Sequence, residues 1–205
     1  MLKSIQLQVM LLLAFAAEKI PTGRSVAEFF RKDNGTTDDK FQAKQVTHFI
    51  SKRAVNFDNG NIVDSSTAKK NGEKTFTNDM LDNDFLVTKA RLLYATAADD
   101  ASVVSADYSN IALGSSTALP GSIKNTQIKI TQDQEAFCVG ARELYEGSTS
   151  DEKWLVLDIP FKIRQKVPFE IKFNGSAAFG STESYRVELG GVEYVQIYGS
   201  STKKC

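Results

Sequence analysis

Two stretches late in the chain alternate apolar and polar residues with the period of a β-strand. Leu155, Leu157, Ile159, Phe161 and Ile163 keep one parity, and Val167, Phe169, Ile171 and Phe173 resume it beyond a break at Gln165. Side chains of a strand point alternately to its two faces, so a slip of one residue would turn either apolar set out to solvent. Each pattern therefore specifies its own register. The second stretch predicts a central core strand, with Asn174 and Gly175 forming the turn that leaves it and Pro168 better suited to a strand start or an edge. Further on, Tyr185, Val187 and Leu189 share a parity that gives way to Val192 and Tyr194 across Gly190 and Gly191, which predicts a bulge or a tight bend.

The rest of the chain is punctuated in the same manner. AsnGly occurs at 34–35, 59–60, 71–72 and 174–175, and this dipeptide suits tight hairpins because both residues tolerate positive φ. Between the turns, strands are expected at 61–65, 75–77, 84–95, 102–104, 126–131, 135–140, 153–164, 167–173, 185–189 and 192–197. Residues 41–51 fit both periods; Val46, Thr47, Phe49 and Ile50 favour a strand. Residues 109–122 read as a long surface loop. Short strands with local turns predict an all-β sandwich or barrel.

The beginning of the chain differs. An apolar run from Val9 to Ala17 is too short to span a membrane, and with its flanks it predicts a helix over 2–19 stopped by Pro21. The same segment imitates a secretory leader, with AlaPheAla at 14–16. Ser25 and Glu28 have capping-box spacing for a short helix over 26–31, and 33–39 read as a polar loop. The expected division is a helical arm and loop over 1–40 and a β-sandwich domain over 41–205.

Composition adds limits. Of 205 residues, 41% are hydrophobic and 13 are Phe, enough to fill a core without disulfides or metal. Lys plus Arg and Asp plus Glu are 25 each, which leaves no long-range field to gather nucleic acid, and no specific nucleic-acid partner is predicted. Cys138 lies in an apolar run and is expected to be a buried thiol, while Cys205 is terminal.

Candidate chemistry is sparse. His48 is the only histidine and would have to serve any nucleophilic triad as base, yet no GlyXSerXGly elbow is present. One His and two distant Cys lack zinc-pair spacing. Asp79, Asp82 and Asp84, and Asp99 with Asp100, could face a hard cation, but turn chemistry explains them better. No phosphate-binding glycine loop occurs, and Lys52, Arg53, Lys69, Lys70 and Lys74 read as solvated hairpin positions. No catalytic residue, metal ligand or cofactor is predicted.

Three segments, TrpLeuValLeuAspIleProPheLysIle at 154–163, ProPheGluIleLysPheAsnGly at 168–175 and TyrArgValGluLeuGlyGlyValGluTyr at 185–194, together resemble the final strands of jelly-roll virion proteins of bacteriophages. The resemblance implies a jelly-roll-like antiparallel β-sandwich with an N-terminal helical arm. It implies a capsid subunit, assembled in the host cytoplasm and resident in the virion, whose partners are copies of itself and other virion proteins. Leu2, Ile5, Val9, Leu12, Leu13, Phe29 and Phe30 are then the expected arm contacts; the same residues could instead pack on their own sandwich. The rival expectation is a secreted or surface-displayed β-sandwich that binds carbohydrate or mediates adhesion, with residues 1–16 removed and Trp154, Tyr145 and Tyr198 as stacking surfaces.

Overall fold

A computed structural model describes residues 40–63, 65, 69, 71–109, 119–147, 154–175 and 178–197. The chain divides into two units, one of them residues 42–195, and the architecture below is that unit's. The expected arm helices, the contact residues Leu2, Ile5, Val9, Leu12, Leu13, Phe29 and Phe30, and also Tyr198 and Cys205, lie outside the described residues.

Among the described residues, seven strands form two sheets, mostly antiparallel. They are β1 (Lys40–Arg53), β2 (Asp84–Thr96), β3 (Gln127–Gln132), β4 (Glu135–Gly140), β5 (Leu155–Ile163), β6 (Glu170–Asn174) and β7 (Glu183–Ile197). The first sheet has the order β1-β7-β2-β5 and the second β4-β3-β6. Residues 60–62 extend the second sheet beyond β6: Asn61 bridges Lys172, Ile62 N–H donates to Ile171 O at 3.0 Å, and Phe173 N–H donates to Gly60 O at 2.9 Å. On the first sheet, residues 73–75 lie along β1, with Ser51 N–H donating to Glu73 O and Thr75 N–H to Phe49 O. Two short helices, α1 (Gly121–Lys124) and α2 (Ala141–Glu146), sit between strands. Among the described residues, no helix is long and apolar enough to cross a membrane.

Both sheets contribute to one apolar core. Val87 and Leu92 from β2 and Val187 and Leu189 from β7 belong to the same buried cluster as Ile128 and Ile130 from β3 and Ile171 and Phe173 from β6. The rings of Phe173 and Tyr185, one from each sheet, have centroids 5.8 Å apart. Burying whole aromatic side chains stabilises the fold by roughly 2–3 kcal/mol each before entropy is counted, and alternation along β3 and β6 places these residues on one face.

Several expectations are met residue by residue. Phe169, Ile171 and Phe173 are buried, and β6 lies between β3 and residues 60–62, so it is a central strand. Pro168 precedes it, where no ladder donor is needed. Asn59 and Gly60 have φ of 48° and 83°, and Asp58 and Asn61 exchange reciprocal backbone hydrogen bonds around them, giving the tight hairpin. The ambiguous segment 41–51 is part of β1.

Others are corrected. Residues 102–104 are not a strand: Ala101–Val103 form a 3-10 turn, because Asp99 Oδ1 accepts from Ser102 N–H at 2.8 Å and closes the chain locally. Asn174 and Gly175 end β6 without a hairpin; Gly175 lies against the Thr126 hydroxyl, where no Cβ would fit. The bulge expected at Gly190 and Gly191 is present in the ladder there, but β7 itself is not broken and continues through both glycines. The irregularity is in β2, where Val87 pairs with Gly191 and Lys89 with Gly190, leaving Thr88 as the extra residue. β5 carries an irregularity of its own at the same place: its pairing steps from Phe161↔Val87 to Val156↔Lys89, so residues 157–160 lie opposite the single residue Thr88. Ile159, expected inside by parity, consequently stands 75% exposed. Cys138, expected to be buried, is exposed, because its neighbour Val139 takes the inward face of β4.

Candidate functional site

His48 is a half-buried polar side chain bonded at both ring nitrogens. It projects from β1 between Thr75, whose Oγ1 is 3.1 Å from Nδ1, and Glu193 of β7, whose Oε1 is 2.9 Å from Nε2. Phe85 and Phe76 meet its ring edge-on. A carboxylate only accepts, so Nε2 carries a hydrogen; the neutral ring then accepts at Nδ1 from the Thr75 hydroxyl, which itself accepts from Phe49 N–H at 2.9 Å. Burial pushes the His48 pKa below its usual value, with the bond and charge of Glu193 opposing that shift.

Glu193, His48 and Thr75 thus line up as an acid, a base and a hydroxyl would in a nucleophilic triad. Thr75 and Glu193 are the members that sequence motifs missed, because no local spacing links residues 48, 75 and 193. Its oxygen, however, is already an acceptor for the β1 backbone, and the space beside the ring is filled by Leu81, Phe85, Phe169 and Leu189. The arrangement holds residues 73–75 to β1 and β1 to β7.

Two further networks are equally committed to structure. Glu188, almost fully buried, accepts from Arg91 Nε at 2.7 Å and lies 2.7 Å from Arg186 Nε; Arg186 rests 3.7 Å above the Phe49 ring, and Arg91 4.3 Å from the Trp154 ring centre. Glu183 accepts from Ser122 Oγ and from Tyr185 OH at 2.9 Å, which anchors α1 to β7. Burial raises the Tyr185 pKa, so its hydroxyl stays a donor.

A cleft of about 110 Å³ opens at the end of β1, lined by Ile50, Arg53, Asn56, Ile62, Lys74 and Asp100. Several of its polar groups are already bonded: Arg53 Nη2 donates to Ser181 O, Asn56 Nδ2 to Asp100 Oδ1 at 2.6 Å, and Lys74 Nζ to Asn78 O at 3.0 Å. Lys52 also lines this cleft. Asp84, one of the acidic candidates, is buried 2.9 Å from Lys162 Nζ and accepts from Gln165 N–H, while Asp79 and Asp82 do not join it in any metal-binding group. Asp99 caps the 3-10 turn and Asp100 serves Arg53 and Asn56. No group of three potential ligands that could hold a metal occurs among the described residues.

The remaining feature is a side of the molecule where edge strands of both sheets meet. Phe137 of β4 stacks on Phe161 of β5 with centroids 4.7 Å apart and planes 16° from parallel. Val156 and Ile159 of β5 and Cys138 of β4 are exposed. The proposed sugar-stacking residues Trp154 and Tyr145 are buried. Compared with known proteins, the chain matches no family model, no curated sequence and no solved structure.

Proposed function

We propose that the chain is a jelly-roll subunit of a bacteriophage virion, built into the shell by contacts between sandwiches and by its N-terminal arm. The observation that most supports this reading is the strand order. In an eight-strand jelly roll, two Greek keys place strands one, eight, three and six in one sheet and two, seven, four and five in the other. With residues 60–62 counted as the second strand, the orders β1-β7-β2-β5 and 60–62-β6-β3-β4 follow that sequence position by position.

The connections agree. At one end, Lys166 N–H donates to Leu81 O, Phe169 N–H donates to Asp79 O, and Arg164 N–H donates to Gln132 Oε1 at 2.7 Å, so connections two to three and six to seven meet the end of strand four. At the other end, Arg53 gathers Asp100 and Ser181 from connections three to four and seven to eight. Such a body is a rigid unit whose strength in a shell comes from many repeated weak contacts. Jelly rolls also serve as lectins, but the buried Trp154 and Tyr145 offer no open ring face for a sugar. The choice of particle rests on the resemblance of residues 154–194 to phage virion proteins.

Electron microscopy of the purified full chain tests the reading together with intact mass from the native source. Regular particles containing a chain that retains Met1 are the expected outcome. A chain that stays monomeric at millimolar concentration, or one processed after residue 16 and exported, would overturn it.

A further inference from the structure

We infer that β4 is a pairing edge for a second copy of this chain, joining two second sheets across a two-fold axis. The inference deepens the shell reading by naming one contact, and it rests on a comparison of the four sheet edges. An unpaired edge strand is a template for association, and proteins blunt such edges with prolines, charges, bulges or covering segments. The β1 edge is covered by residues 73–75 at Phe49–Ser51, and the strand carries Lys40, Lys44, Lys52 and Arg53. The β5 edge carries Pro160, Asp158 and the pairing irregularity opposite Thr88. The edge at residues 60–62 is only a short bridge beside β6. By contrast, β4 pairs in unbroken register with β3, from Gln127↔Gly140 to Gln132↔Glu135, has no other partner among the described residues, and contains neither proline nor lysine.

The strand's own sequence favours a copy of itself. Opposed residues in an antiparallel ladder present side chains to the same face, so a two-fold axis normal to the sheet must pass beside a residue and not between two. Phe137 and Cys138 are the central choices. Centring on Cys138 pairs Ala136 with the partner's Gly140, leaves Glu135, the strand's only charge, just past the ladder at the start of the partner's α2, and keeps the two Glu135 carboxylates at opposite ends of the ribbon. Because Phe137 stacks on Phe161 of β5, a copy paired to β4 also comes close to β5, whose exposed Ile159 offers apolar surface that backbone pairing alone lacks.

The register makes Cys138 its own reporter. In the full chain carrying Cys205→Ser, mild oxidation should link Cys138 to its partner's equivalent at least about tenfold faster than it links a Val104→Cys, Cys138→Ser, Cys205→Ser control, since paired strands raise the effective thiol concentration. Cys138→Lys opposes two like charges at an exposed position, and sedimentation should then show loss of the dimer, whereas Val104→Lys keeps it. Crosslinking no faster than the control, or a Cys138→Lys chain that sediments like the parent, overturns the inference. The two readings fail separately: particles formed by an unaffected Cys138→Lys chain would remove this contact and leave the shell, while a Cys138-dependent dimer that never forms particles would do the reverse.

Discussion

Glu193 Oε1 lies 2.9 Å from His48 Nε2, joining the last strand of the fold to the first across 145 residues of sequence. Thr75 completes the bond set at the other nitrogen, Lys69 disfavours a second positive charge nearby, and Asp82 favours one. Burial has the largest effect, and the folded-state pKa is lowered. The unfolded chain then takes up the proton first as pH falls, so the contribution of neutral His48 to stability is complete above about pH 6.5 and is lost progressively below it. Urea midpoints measured from pH 7.5 to 5 should fall more steeply for the parent chain than for His48→Gln, with a difference in slope of no more than about 1.4 kcal/mol per pH unit, the limit for one proton. Parallel pH curves would refute the assignment.

Gln132, buried at the end of β3, spends its whole amide on the β5–β6 connection. Its Nε2 donates to Arg164 O at 3.2 Å and to Val167 O at 2.9 Å, and its Oε1 accepts from Arg164 N–H. Removing that amide strands three backbone groups, so Gln132→Ala should cost about 2–4 kcal/mol in chemical denaturation. Gln132→Glu should be no better at neutral pH, since its carboxylate cannot donate to the two carbonyls. A loss under about 0.5 kcal/mol in either variant would show that water replaces the amide freely.

The unequal legibility of the sequence has the same physical origin. Parity in 169–173 and the AsnGly turn at 59–60 are local properties, set by side-chain alternation and by positive φ, and both hold in the structure. What parity could not convey is where the ladder breaks: residues 157–160 of β5 lie opposite the single residue Thr88 of β2, and Ile159 leaves the core although its own sequence pattern is intact. The Glu193–His48–Thr75 alignment and the Gln132 clasp join residues far apart in the chain, so no spacing rule exposes them. Cys138 misled for a simpler reason. An apolar neighbourhood marks a strand, but only pairing reveals that the strand is an edge whose alternate residues face out.

Glycine positions give a sharper test of the same bulge. A Cβ on Gly191 would collide with Leu86 O, 2.9 Å from Leu86 C and 3.1 Å from Val87 Cα, all backbone that cannot swing aside. At Gly121, the first residue of α1, nothing lies within 4 Å of an added Cβ. Gly191→Ala should therefore destabilise by about 3 kcal/mol or more, while Gly121→Ala stays within about 1 kcal/mol of the parent. Equal costs at the two sites, read from thermal or urea unfolding, would contradict the close approach of β7 to β2.

Trp154 is the chain's single tryptophan and therefore a clean spectroscopic reporter. It is 6% exposed, with Lys89 Nζ 4.6 Å and Arg91 Cζ 4.3 Å from the ring centre. Cations held over an indole face gain about 0.5–1 kcal/mol each at partly exposed sites, and the same cover denies that face to a sugar. Emission should be blue-shifted in the native chain, weakly quenched by iodide, and unchanged by soluble oligosaccharides. Replacing both cations, as in Lys89→Ala with Arg91→Ala, should raise iodide quenching and cost about 1–3 kcal/mol, the larger figure reflecting the bond that Arg91 makes to buried Glu188. If a sugar instead quenched the parent's emission in a saturable manner, the Trp154 face would be open in solution and the carbohydrate-binding alternative would displace the shell subunit as the better account.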